Sequence, residues 1–223
     1  AMLGLVGGGK ALQQRNIISS MARIGGIFLV LWAMVSSRSE GLVLNLGLAA
    51  PPQSVLLLLA AALRLGVVPL HVAYTSEPLT RRGLGTMLRL VPPAASLVLL
   101  SRLPAAVVPP NAAVAVLLFC ILAAGYGAFM WMVTQDDLEG RPYWLLAVAG
   151  LAIASGVRGQ PEAIPVMGTA MVLVGGLIFL SSEFRKPLRV ILLVGFIGLT
   201  ALPYTPAAGS LTGLTVYPFN LLD

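Results

Sequence analysis

Arg64, Gly66, Pro69 and His71 fall within one short stretch, ALRLGVVPLHVAY, inside a run that otherwise reads as hydrocarbon. Arginine stays charged in proteins. Imidazole titrates near neutral pH. Proline withholds a backbone donor and breaks or kinks a helix. At the centre of a membrane helix a charge costs at least about 2.5–3.5 kcal/mol, so Arg64 is expected to have a purpose or a partner, or else to snorkel to an interface. Gly66 and Pro69 point to a helix break, and carbonyls freed at membrane depth survive only against protein or water. The group therefore reads as an internal polar site. A plainer reading of His71 stays open beside it, that of an interfacial residue at a helix end. A second group follows in RLVPPAASLVLLSRL, where Arg89 precedes Pro92 and Pro93. The two prolines read as another break, or as the start of a helix with Arg89 at the membrane surface.

Other motifs carry less. GLVGGGKA, Gly4 to Ala11, nearly matches a phosphate-binding loop, but Ala11 lacks the hydroxyl that would hold magnesium. Cys120 and His71 are each the only residue of their type. Neither an intrachain disulfide nor a cysteine or histidine metal cluster is expected, and no cofactor ligand set is visible.

The elements that position these residues follow from composition. The chain of 223 residues is 58% hydrophobic and 10% charged. A soluble domain carries about 25% charged residues, so the class is an integral membrane protein. Seven apolar segments approach membrane-spanning length. They lie near 17–37, 54–74, 84–103, 112–134, 143–157, 164–182 and 187–202, separated by turn signals such as APPQ, TSEPLTRRG, LPAAVVPPN and QDDLEGRP. The fold class is all-α, a polytopic transmembrane bundle of about seven helices with at least one discontinuous helix, forming a single domain over residues 1–223. Basic residues cluster in alternate loops. Lys10, Arg15, Arg81, Arg82, Arg141, Arg185 and Lys186 fall on one side, and Arg38, Arg102 and Arg158 on the other. The first side is read as cytoplasmic, and with it the N-terminus. The net charge of +6 is thus topogenic, which argues against nucleic acid as a partner and for a lipid bilayer.

With these elements placed, the chain resembles the antiporter-like proton-channel subunits of respiratory complex I, of membrane-bound hydrogenases and of multisubunit cation/proton antiporters. The central match is AALRLGVVPLHVAYTSEPLTRRGLGTMLRLVPPAASLVLLSR. Pro69 and His71 match the end of the family's K-x-x-x-x-P-x-H pattern. Val91, Pro92, Ala94, Ala95 and Arg102 match its V-P-K-A-A and later arginine. Gln135, Asp137 and Leu138 match Q-x-D-L-K-R, and GLTALPYTPAAG resembles the G-x-P-P-x-x-G turn.

The resemblance implies the middle part of a longer subunit in the membrane arm of a complex I-like assembly. It implies proton or cation translocation driven by redox chemistry in partner subunits, no cofactor of its own, and a place in an energy-coupling membrane such as the bacterial inner membrane. The alternatives are a non-conducting structural subunit of such an assembly, or an unrelated small-solute transporter with its site at Arg64. Arg64 and Pro93 stand where the family has lysines, and Glu139 and Gly140 where it has lysine and arginine. Arginine can set a field but does not readily pass a proton, and proline cannot. Arg64, His71 and Arg89 are the candidate ion-translocation or buried-charge residues.

Overall fold

A computed structural model describes residues 10–39, 46–73, 82–103, 108–135, 137–180, 189–199 and 208. Among them the chain forms seven α-helices and one short 3-10 turn. The helices are α1 (Lys10–Ser39), α2 (Pro51–Leu65), α3 (Arg82–Ser101), α4 (Pro110–Val133), α5 (Asp137–Val157), α6 (Ala163–Leu180) and α7 (Arg189–Leu199), with the 3-10 turn at Leu46–Leu48. The loop charges Glu40, Arg81, Arg185 and Lys186 lie outside the described residues.

Among the described residues, four stretches are long and apolar enough to cross a membrane: Asn16–Ser39, Gly83–Ser101, Ala112–Val133 and Ala163–Leu180. Those in α1 and α4 are little covered by the rest of the chain. They expose Met21, Ile24, Phe28 and Val35 on α1, and Ile121, Leu122, Phe129 and Met132 on α4. Surfaces this apolar suit hydrocarbon rather than water. The chain is an all-helical integral membrane protein.

Inside the bundle, α5 packs against α2, α3, α4 and α6, while α1 pairs with α2 and α7 with α6. Every residue of α5 from Gly140 to Gly150 is buried. Between membrane helices lipid tails are as apolar as leucine, so cohesion comes from close packing. α4 and α5 achieve it with glycine. A Cβ on Gly127 would sit 2.6 Å from the Tyr143 carbonyl oxygen, and one on Gly150 would sit 2.8 Å from that of Cys120. The two helices run antiparallel with their backbones nearly touching.

The start of α5 differs from the sequence reading, which took QDDLEGRP for a turn. The helix already begins at Asp137 and carries Pro142 inside it. Acidic side chains favour the positive end of a helix. Pro142 has no N–H for the Leu138 carbonyl one turn back, and the Arg141 Nε–H donates to that carbonyl at 3.0 Å instead. Arg141, read as a loop charge, is therefore interior, with 1% of its surface exposed.

α3 also differs, running unbroken through Pro92 and Pro93. The prolines withhold donors from the Leu88 and Arg89 carbonyls, but packing against α2, α5 and α6 holds the helix across them.

Candidate functional site

α2 starts where the sequence permits and stops within the membrane-length segment. Ala50 is extended, and Pro51 and Pro52 open the helix, where a missing N–H does no harm. The helix ends after Leu65. Gly66 adopts a left-handed φ of 81°, and the Val67 N–H returns to the Ala62 carbonyl at 2.9 Å, a Schellman closure. At 15 residues, α2 is about 22 Å long at helical rise, short of the roughly 30 Å hydrocarbon core.

The early stop changes the setting of Arg64. The sequence places it mid-segment; in the fold it occupies the last turn of α2. A cation there faces the carbonyl end of the helix, where its charge is favoured. Its aliphatic stem lies across α1. A Cβ on Gly26 would come within 2.6 Å of Arg64 Cγ and 3.0 Å of Cδ, so Gly26 makes room for it. Arg64 is half-buried.

The chain then continues without helix from Gly66 to Ala73, with a cis peptide at Val68–Pro69. Gly66 and Val67 are buried, whereas Pro69 and Leu70 are exposed. A side chain at Gly66 would collide with the His71 carbonyl oxygen. The His71 N–H donates to the Gly66 carbonyl at 2.9 Å. On the ring, Nδ1 donates to the Pro69 carbonyl at 2.8 Å. Nε2 is buried and has no hydrogen-bond partner among the described residues. Two donors on α1 reach the end of the stretch, for Ser19 Oγ and Arg23 Nη2 both donate to the Ala73 carbonyl, the latter at 3.2 Å.

The fold thus sets Arg64, Gly66, Pro69 and His71 along one junction between α1 and α2. Arg89 stands apart on α3, buried, with Nη1 donating to the Gly85 carbonyl at 3.1 Å. One turn before it, Thr86 accepts a 2.9 Å hydrogen bond from Arg141 Nη1, and both residues are buried. Thr86 and Arg141 thus form a second polar contact, between α3 and α5, with Arg89 buried one turn further along α3.

Sequence reasoning missed Ser19, Arg23, Thr86 and Arg141 as interior polar residues. Ser19 and Arg23 had a signal, since their i, i+4 spacing puts both on one helix face. For Arg141 the signal was the proline after it, which frees a carbonyl one turn back.

The junction holds two fixed positive charges, Arg64 and Arg23, and one imidazole with a nitrogen already committed. Such a group can bias the field along a path, and it leaves Nε2 uncommitted. Among the described residues no three His, Cys, Asp or Glu side chains gather as a metal site. The chain matches no family model, no curated protein and no solved structure.

Proposed function

We propose that the chain is a membrane-arm subunit of a complex I-like assembly, the middle part of a longer antiporter-like subunit, taking part in proton or cation translocation coupled to redox chemistry in partner subunits. One observation carries the reading: α2 stops at Gly66 with Arg64 in its last turn and His71 just beyond. That arrangement agrees with the motif resemblance around Pro69 and His71. In this reading Arg64 is electrostatic. It stands where related subunits keep a titratable lysine, and it sets the local field without carrying a proton. The starts of α1 and α3, at Lys10 and Arg82, face the cytoplasm in this reading.

A second reading, a non-conducting structural subunit, draws on a different observation. Arg141 on α5 and Arg89 on α3, both buried, are permanent charges as well. They serve to brace helices better than to relay protons.

Proton uptake by vesicles carrying the whole assembly separates the two. The translocating role predicts uptake that falls in Arg64→Ala and in His71→Ala while the assembly stays intact. Uptake unchanged in both, with this subunit present, assigns the chain to the structural role.

A further inference from the structure

Ala73 is where the non-helical stretch meets α1. Its carbonyl oxygen has two lone pairs, and two donors from a single helix face take them, Ser19 Oγ and Arg23 Nη2. Ser19 is buried and Arg23 half-buried, so the contact lies inside the α1–α2 seam. Between Gly66 and Ala73 the stretch is held largely by its own backbone, through the His71 N–H on the Gly66 carbonyl. Its outer residues, Pro69 and Leu70, are exposed. It is thus pinned at two points, the helix end at Gly66 and the carbonyl of Ala73, and His71 lies between them. Because Nδ1–H donates to Pro69, the neutral ring carries its lone pair on Nε2. That atom is buried and has no hydrogen-bond partner among the described residues. Two cations also lie along the seam, Arg23 on α1 and Arg64 on α2.

We infer that Ser19 and Arg23 form a latch on the Ala73 carbonyl that controls access to His71 Nε2. With both donors in place the stretch lies flat against α1 and Nε2 is shut off. With the donors gone, the stretch pivots at Gly66 and the nitrogen opens to solvent or to a proton donor. Ser19 and Arg23 are positioning residues, acting on His71 through the backbone. The inference gives a regulation to the junction proposed above as part of an ion path. The latch itself is read without measuring transport.

His71 is the only histidine of the chain, so diethyl pyrocarbonate modification can be followed at one imidazole by peptide mass spectrometry, with the chain in its native membrane assembly. Wild type should react slowly. Ser19→Ala and Arg23→Met should each react about tenfold faster, as expected for loss of one hydrogen bond to a buried acceptor. Arg23→Lys keeps a donor and should react more slowly than Arg23→Met. Thr86→Val loosens the separate α3–α5 contact and controls for general unfolding; its rate should match wild type. Equal rates in wild type and the latch variants would overturn the inference, and so would an equal acceleration in Thr86→Val. Faster modification in the latch variants with proton uptake insensitive to His71 would keep the latch and discard the ion path.

Discussion

Arg141 has 1% of its surface exposed and a charge it cannot shed. Its partners explain how it stays there. Nε donates to the Leu138 carbonyl and Nη1 to the Thr86 hydroxyl, one within α5 and one across to α3. Guanidinium has the planar set of donors that such a bridge needs, and lysine does not. Truncation strands the Leu138 carbonyl and the Thr86 hydroxyl, and a buried polar group left unsatisfied typically costs about 1–3 kcal/mol. Arg141→Ala should therefore lower the melting temperature of the detergent-solubilised chain steeply, with Arg141→Lys intermediate. Thr86→Val removes the hydroxyl that accepts from Arg141 and should cost about 1–3 kcal/mol. A melting temperature unmoved by Arg141→Ala would mean the bridge contributes nothing. Arg64 is the contrasting case. It lies half-buried over Gly26 at a helix end, and its replacement should affect function more than fold.

At the scale of elements, α4 and α5 depend on missing side chains. Gly150→Ala would put a methyl group 2.8 Å from the Cys120 carbonyl oxygen and 3.0 Å from the Ala124 nitrogen. Backbone cannot step aside as a flexible side chain can, so the helices must separate, at a cost of about 1–3 kcal/mol. Gly125→Ala is the control on α4, with nothing within 4 Å of the added atom. Thermal denaturation should rank Gly150→Ala well below wild type and Gly125→Ala close to it. The helices themselves were legible in the sequence because apolar runs of membrane length leave few alternatives. The end of α2 was legible too, since Gly66 and Pro69 act locally. What escaped was decided by packing. The charged start of α5 resembles a turn until Arg141 is seen to satisfy the carbonyl that Pro142 leaves free. Pro92 and Pro93 read as a break until neighbouring helices hold α3 across them. Half of the candidate site was legible for the same reason: Arg64 and His71 announce themselves by type, whereas Ser19 and Arg23 matter only through the carbonyl they reach.

At the scale of the whole molecule, the helix directions fix which ends lie together. α3 and α5 both begin at the end marked by Thr86 and Arg141, so Gly83 and the α5–α6 turn lie at opposite ends of the bundle. Single cysteines at Gly83 and Glu162, both exposed, in a Cys120→Ser background should react with a membrane-impermeant maleimide from opposite sides. In the orientation proposed above, with the basic start of α3 on the cytoplasmic side, Gly83 should react from that side. Reaction of both from one side would undo the arrangement of spans. The larger proposal is that the bundle works as part of an assembly, with fixed charges and an imidazole along its candidate ion path and redox chemistry in partner subunits. The most direct measurement is to solubilise the membrane in mild detergent, isolate the chain by an affinity tag, and assay the purified particle for quinone-linked redox activity and for its subunits. The account predicts a stoichiometric multisubunit complex with that activity, retaining the chain in the Arg64→Lys variant. A folded, monodisperse chain with neither partners nor redox activity would contradict it.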